Sequence, residues 1–295
     1  MSRRSTDRAA ATLGCFAPWA AGAGPLRVVA SSAWRGLVFG LALWVTGSAA
    51  EARDPRPGVM GTDDRRIVDV AEAPWPAIGQ VNVARYRLKS WCTGTLIAPD
   101  RVMTAAHCVT DSWTGKLVPL HAIHFLTGVS GARWKEHAQP KCVVLPETRR
   151  RRAASPPRRP PKGHSLAWFA DDFALLILDR PLKAQPVPVA DGAGADGDPG
   201  PLHHAAFAGD RRYRLTAHRG CALKARTRDG LWLTDCDTYH AGSGGPVLVE
   251  QGDGYRLAAV MVGIAERRFT VAVPTAIWRD FAGHASCPKT KSGRH

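Results

Sequence analysis

The amino-acid sequence predicts an all-β fold made of many short strands. Short apolar segments such as 173–178 and 245–249 are bounded by Gly, Pro, Asp or Asn, a pattern typical of β-barrels and β-sandwiches. The chain contains 29 Gly and 22 Pro, and this content favours turns over long helices. No long stretch has a helical period, and only residues 105–109 and 275–281 are consistent with short helices.

The predicted strands fall into two halves. A Gly- and Asp-rich piece at 190–200 has the composition of a linker between them. We therefore expect a first β-barrel over 67–185, a second over 186–285 and a C-terminal tail over 286–295. Hydrophobic residues make up 45% of the chain, which is enough to bury a sizeable core.

The N-terminal region has the features of an export signal. Several arginines precede an apolar run at 36–46, and small residues follow it up to Ala50-Glu-Ala52. This order predicts a signal peptide over 1–52, a secreted or periplasmic protein and no integral membrane domain. An uncleaved anchor is the alternative, although the run is shorter than the roughly 20 residues that a spanning helix needs. Residues 53–66 are rich in Pro, Gly, Arg and Asp and are predicted to form a pro-segment or N-terminal arm.

The chain is strongly basic, with 40 Lys and Arg against 25 Asp and Glu and a formal net charge of +15. Such a charge favours contact with acidic partners, but it is equally consistent with a solvated basic surface. Residues 147–165 combine four successive arginines with a cluster of prolines, which predicts an exposed loop, extended where the prolines lie. The arginines from Arg149 to Arg159 either contact an acidic polymer or surface, or simply stay solvated.

Six cysteines follow the predicted signal peptide. An even number of cysteines in an exported chain indicates disulfides, and the spacings do not match a zinc site. They are Cys92, Cys108, Cys142, Cys221, Cys236 and Cys287.

Three short motifs carry the chemistry. They are Thr104-Ala-Ala-His-Cys108, Asp172-Phe-Ala-Leu-Leu-Ile-Leu178 and Ala241-Gly-Ser-Gly-Gly-Pro246. Each alone is unspecific. Together, in the order His, Asp, Ser, they resemble the trypsin/chymotrypsin-like serine peptidases. The segments Asp63-Asp-Arg65 and Cys236-Asp-Thr238 resemble the bacterial branch near the glutamyl-endopeptidase-like proteins. The order differs from that of the α/β-hydrolases, which run Ser, Asp, His.

The resemblance implies two six-stranded antiparallel β-barrels with a short C-terminal helix, and a site in the cleft between the barrels. It also implies a secreted serine endopeptidase with His107, Asp172 and Ser243 as its catalytic triad, acting through an acyl-enzyme intermediate. A serine hydroxyl needs a neighbouring base to become a nucleophile, and a carboxylate fixes the tautomer of that base. Asp171 is the alternative to Asp172.

Two residues depart from the pattern of trypsin. Gly242 stands where trypsin-like enzymes have the Asp that pairs with a new N-terminus, so an ammonium group at Ile67 lacks an obvious partner after cleavage at Arg66. Ala241 replaces a usual Gly, although its N–H still forms the implied oxyanion hole together with the N–H of Ser243.

The resemblance also implies a specificity pocket. Counting back from Ser243 places Asp237 at the pocket floor, where an Asp favours Arg or Lys in the substrate. Asp237 also belongs to a Cys-Asp-Thr motif in which it has a structural role. Thr238 suits a glutamyl-type pocket, but Met261 stands where that pocket has a His, and Ile264 stands where a Gly usually lines the pocket.

The implied disulfides are Cys92–Cys108 and Cys221–Cys236, which leaves Cys142 and Cys287 as the remaining pair. The implied substrate is a protein or peptide, and we expect a monomer that needs no metal or organic cofactor. The alternative function is a non-catalytic or weakly active binding protein on the peptidase fold, acting through its basic surface.

Overall fold

The structure is a computed structural model that describes residues 56–84, 89–112, 114–154, 166–191 and 197–288. The predicted signal peptide and the proline-rich part of the basic segment lie outside these residues, as does most of the predicted tail. Among the described helices, none combines the length and apolar character that crossing a bilayer requires.

The predicted all-β class is confirmed, because the described residues form mostly strands in two antiparallel sheets, one of them nearly barrel-shaped. The first sheet has the strand order β6-β5-β2-β3-β4-β8-β7. Its strands are β2 (Ile78–Ala84), β3 (Lys89–Ala98), β4 (Arg101–Thr104), β5 (Ile123–Thr127), β6 (Glu136–Ala138), β7 (Pro140–Val144) and β8 (Ala174–Leu178).

The second sheet has the order β1-β10-β9-β13-β14-β15-β12-β11. Its strands are β1 (Arg66–Ile67), β9 (Leu202–Ala206), β10 (Thr216–Cys221), β11 (Leu223–Arg226), β12 (Trp232–Thr234), β13 (Pro246–Gln251), β14 (Gly254–Ala265) and β15 (Phe269–Pro274). The described sheets thus have seven and eight strands rather than six each, because short segments such as β1 and β6 extend their edges.

Strand β8 shows why the sequence folds in this way. Its five residues form a continuous apolar run, and all of them are buried between β4 and β7. A strand covered on both faces has no polar alternation, so the run fits the middle of a packed sheet. Large side chains fill the core beside it, including the fully buried Trp75 and Trp278.

In the part of the chain that the structure describes, two α-helices accompany the sheets, α1 (Glu147–Ala154) and α2 (Thr275–His284). Helix α2 agrees with the predicted C-terminal helix, and a 3-10 helix at Ala106–Cys108 agrees with the other. Helix α1 corrects the prediction of a loop over 147–165 for its first part. The Glu147 carboxylate pairs with Arg150 and Arg151, one helical turn later, and such pairs offset the repulsion between the arginines.

The described chain contains three disulfides, which confirms the expectation of disulfide bonds. They join Cys92 to Cys108, Cys221 to Cys236, and Cys142 to Cys287. The third connects β7 of the first sheet to the segment after α2, across a sequence separation of 145.

Candidate active site

His107 lies in the short 3-10 helix that follows β4. Its neighbour Cys108 forms a disulfide with Cys92 of β3, so the 3-10 helix is covalently linked to the first sheet. Ala106 and Cys108 are buried, whereas the His107 side chain keeps 40% of its surface exposed. The motif thus holds the backbone firmly and leaves the imidazole accessible.

Asp172 lies directly before β8 and contacts His107 twice. Its Oδ2 accepts a hydrogen bond from His107 Nδ1 at 2.6 Å, and its Oδ1 accepts one from the His107 backbone N–H at 2.9 Å. Asp171, the alternative, instead has its Oδ1 3.7 Å from Arg149. The structure therefore brings Asp172 to the imidazole, with the tautomer that leaves Nε2 free to accept a proton.

The two partners shift each other's pKa in opposite directions. Burial lowers the pKa of His107, but the charge of Asp172 and its hydrogen bond outweigh burial, so the pKa is raised. Burial raises the pKa of Asp172, but His107 and Arg149 outweigh it, so the pKa is lowered. The pair is therefore set up as a carboxylate beside a base with increased proton affinity.

Ser243 lies in the turn that precedes β13. Its carbonyl oxygen accepts a hydrogen bond from the Thr93 N–H at 2.9 Å and lies 3.8 Å from Cys108 Sγ. The turn is thus placed beside the disulfide that anchors His107. Within the described residues no hydrogen bond joins Ser243 Oγ to His107, and such bonds often tighten only when substrate binds.

The turn also presents two backbone donors. Within the described residues, the N–H groups of Ala241 and Ser243 donate to no other protein atom. Ala241 adopts φ 70°, a left-handed conformation that a Cβ disfavours. An oxyanion hole requires backbone N–H donors that are not already paired within the protein, so these two groups are the candidates for it.

Gly242 is tightly enclosed in the same turn. A Cβ at this position would lie 2.1 Å from Thr238 Oγ1, so the Asp found in trypsin does not fit here. Ile67 is 60% exposed and pairs with Thr216 in the ladder between β1 and β10. The close packing around Gly242 is consistent with the expectation that this chain lacks a trypsin-style partner for a new N-terminus.

The N-terminal arm, which we define as residues 56–66, lies against three of the four residues of the predicted specificity pocket. Asp237 is buried, and its two oxygens accept hydrogen bonds from the N–H groups of Met60 and Asp64. The Gly58 carbonyl accepts one from the Thr238 N–H, and a Cβ on Gly58 would lie 2.7 Å from Ile264 Cδ1. In this arrangement Asp237 fastens the arm, which agrees with the structural role that its motif also suggested.

The remaining pocket residues are tied into the second sheet. Thr238 Oγ1 lies 3.0 Å from His204 Nε2, while Met261 is buried and its carbonyl accepts the Gly244 N–H. Burial lowers the pKa of His204 to about 4, so this imidazole is neutral at neutral pH. Met261 thus occupies the position where a glutamyl-type pocket has a His, and a different histidine, His204 of β9, contacts Thr238.

Sequence reasoning missed His204 and the inward position of Arg149. His204 lies in the strand Leu202–Ala206 beside a second histidine, and no motif marks it. Arg149 was indistinguishable from its neighbours in the arginine run. The positions of both side chains depend on partners far away in the sequence. For His204 the one signal in the sequence was a pair of histidines within an otherwise apolar strand, and for Arg149 there was none.

Among the described residues, two clusters contain residue types that bind metals. In the first, Cys92 and Cys108 surround His107, but their sulfurs form a disulfide and are not available as thiolate ligands. In the second, Asp237 stands with Asp64 and His218, yet both of its oxygens already accept backbone hydrogen bonds. Neither cluster favours a metal.

Comparisons with known proteins find relatives among the serine proteases. Human serine protease 23 is 32% identical over 175 residues, which cover 55% of this chain and 44% of that protein. The mouse protein of the same name is 31% identical over the same shares. The chain thus spans about half the length of the curated relatives it matches.

Solved structures share the fold. A Glu endopeptidase superposes with a TM-score of 0.59 and 19% identity, covering 76% of this chain and 97% of that one. Protease Anisep from Arthrobacter nicotinovorans gives 0.53 and 13%, covering 74% and 99%. The family model described as "Trypsin-like peptidase domain" matches residues 92–255, more than half of the 295 residues, so the chain belongs to the trypsin-like peptidases.

Proposed function

We propose that this protein is a secreted serine endopeptidase with His107, Asp172 and Ser243 as its catalytic triad. The observation that carries the proposal is the 2.6 Å contact between His107 Nδ1 and Asp172 Oδ2 on an imidazole that stays accessible. An imidazole held by a carboxylate on one nitrogen and free on the other has what a general base needs.

The proposed reaction has two halves. Ser243 Oγ attacks the carbonyl carbon of the scissile peptide bond while His107 Nε2 takes the hydroxyl proton. The N–H groups of Ala241 and Ser243 donate to the oxyanion that develops, and one such donor typically contributes about 3–4 kcal/mol in the transition state. His107 then gives its proton to the leaving amine, and water hydrolyses the acyl-enzyme with His107 again acting as base.

A location outside the cytoplasm is part of the proposal. Three disulfides support it, because disulfides persist in oxidising compartments and are rare elsewhere. The predicted signal peptide supports it from the sequence. The proposed substrate is a protein or peptide, and the proposed working form is a monomer.

The cleavage preference is proposed with the arm in its described position. Both oxygens of Asp237 are engaged by the arm, which argues against an Arg or Lys side chain pairing with this carboxylate. Thr238 is also buried, but its Oγ1 contacts the neutral His204 rather than the arm. We therefore expect a preference that depends on Thr238 more than on Asp237.

The test is a peptide-library digest by the purified full chain, with labelling by a fluorophosphonate probe. We expect cleavage and labelling in the wild type and neither in Ser243→Ala. The matched control is Ser130→Ala, a half-buried loop serine whose Oγ accepts a hydrogen bond from Arg214 and which is expected to keep both activities. Cleavage that persists in Ser243→Ala would exclude the proposed triad.

A second candidate is binding of an acidic partner through the basic surface, with weak or no catalysis. A groove of about 670 Å³ on the first sheet supports it, because Lys135, Arg180 and Lys183 line it beside the exposed Trp134. Salt-sensitive binding of an acidic polymer by Ser243→Ala would support this function. Loss of that binding in Lys135→Met would assign it to the groove rather than to the arginine run.

A further inference from the structure

One arginine of the basic run turns inward, toward the proposed triad. The side chain of Arg149 is only 16% exposed, whereas that of Arg151 is 79% exposed. Arg149 Nη2 lies 3.4 Å from Asp172 Oδ1, and its Nη1 lies 3.7 Å from Asp171 Oδ1. Helix α1 therefore places a guanidinium against two adjacent buried carboxylates.

The arrangement leaves the imidazole contact undisturbed. Arg149 approaches Oδ1 of Asp172, the oxygen that also accepts the backbone N–H of His107. The other oxygen, Oδ2, accepts the ring N–H. Arg149 thus places a positive charge beside the carboxylate without competing for the hydrogen bond that orients the imidazole.

A cation at this place is favoured by the charges around it. Asp171 and Asp172 are consecutive and both buried, so their charges repel each other and are poorly solvated. The charged groups that the described structure sets against His107 are Asp172 and Arg149, and the neighbouring Cys92–Cys108 disulfide does not titrate. Asp172 favours the protonated imidazole and Arg149 disfavours it, so the balance of these two charges sets the proton affinity of the base.

We propose that Arg149 is a positioning residue for the reaction: acting through Asp172, it offsets the carboxylate charge that faces His107 and keeps the imidazole able to release its proton. The inference rests on the proposed peptidase function and names a regulator of that same site. It also assigns a role to the arginine run that differs from contact with an acidic polymer, because Arg149 is already occupied by acids of its own chain.

The test compares Arg149→Met, Arg149→Lys and the matched exposed variant Arg151→Met in the full chain. We measure kcat/KM as a function of pH, with thermal unfolding as the check on folding. In Arg149→Met we expect the acid limb to move up by roughly half to one pH unit, because the remaining charge of Asp172 acts unopposed. We also expect kcat/KM at pH 7 to fall by at most about three- to tenfold, because the raised pKa leaves less of the imidazole unprotonated. Arg149→Lys should restore most of both, and Arg151→Met should match the wild type.

A second measurement does not depend on activity. The imidazole of His107 is titrated by NMR in Ser243→Ala, with and without Arg149→Met, and we expect the same upward shift of its pKa. A merely structural role would lower stability without moving the titration. An unchanged or lowered pKa in both measurements overturns the inference. Activity that survives Ser243→Ala overturns the proposed function instead, and the NMR titration still decides the role of Arg149.

Discussion

Ala241 carries backbone strain in the turn beside the proposed nucleophile. Its φ of 70° lies in the left-handed region, where a Cβ costs about 1–2 kcal/mol relative to the preferred conformations. Strain of this kind persists only where neighbours enforce it, and Gly242 and Gly244 on either side of Ser243 have no room for a Cβ. The turn is therefore held by close packing rather than by the preference of Ala241.

Ala241→Gly should stabilise the protein by about 1 kcal/mol, because glycine adopts this φ without a clash. The free energy of unfolding from urea titration measures the effect. The matched control is Ala208→Gly, at a buried position with φ −66°, where loss of the methyl group should destabilise. Destabilisation by both substitutions to a similar extent would contradict the assignment of strain to Ala241.

Asp172 and Asp171 are neighbours that the structure separates by their partners. Asp172→Asn should lower kcat about 10⁴-fold, because an amide favours the wrong imidazole tautomer. It should also lower the pKa of His107, since the carboxylate is what raises it above its usual value. The acid limb of kcat/KM therefore moves down in pH, opposite to the shift expected for Arg149→Met. Asp171→Asn should cost far less, and equal losses from the two substitutions would contradict the choice of Asp172.

At the scale of elements, helix α1 shows where sequence reasoning stops. Four successive arginines predict mutual repulsion and a loop, and that reasoning considers only neighbours in sequence. The compensation comes partly from Glu147 within the helix and partly from the Asp171–Asp172 pair, more than twenty residues later. The second partner exists only once the chain is folded. By contrast, β8 and the 3-10 helix Ala106–Cys108 were predictable from local sequence. Burial gives β8 a continuous apolar run, and the 3-10 helix lies in the motif that ends at Cys108.

The N-terminal arm is held by a compact ion network. Arg65 is buried, and its guanidinium pairs with Asp63 at 2.9 Å and with Asp210 at 2.6 Å. Arg56 also pairs with Asp210, and Arg211 with Asp63. The arm therefore belongs to the second sheet, through both β1 and these charges.

Asp210→Asn should cost about 3 kcal/mol of unfolding free energy, because it leaves the buried guanidinium of Arg65 short of one carboxylate. Hydrogen exchange at the amides of Met60 and Asp64 should increase as the arm loosens from Asp237. Lys224→Met, which breaks the more exposed pair with Asp235, is the control and should change stability by at most about 1 kcal/mol. An Asp210→Asn effect no larger than this control would show that the network does not hold the arm.

At the scale of the whole molecule, the short apolar segments were sufficient to predict the all-β class, and the cysteine pairs were implied by the resemblance that the three motifs carry. What the sequence did not contain was how the C-terminal helix reaches the first sheet. Phe281 of α2 packs edge-on against Phe173 at 5.2 Å, and Arg101 donates to the Ala282 and Ala285 carbonyls. These contacts lie far apart in sequence and have no local signature. Through these contacts α2 packs against Phe173, the residue directly after Asp172.

The Cys142–Cys287 disulfide closes this connection, and its removal should affect both stability and the site. The double substitution Cys142→Ser with Cys287→Ser should cost about 2–5 kcal/mol, since the bridge closes a loop with a sequence separation of 145. Activity should also fall at temperatures below global unfolding, because α2 frays and Phe173 no longer fixes Asp172 beside His107. Urea unfolding without reductant and kcat at 25–45 °C measure the two effects. The matched control removes Cys221 and Cys236, whose separation is only 15 and whose loop is remote from β8. It should cost about 1–2 kcal/mol less by the same loop-length argument and leave the temperature dependence of kcat unchanged below its own transition. A temperature dependence of kcat in the Cys142 and Cys287 variant that matches the wild type would show that Asp172 does not depend on the C-terminal helix.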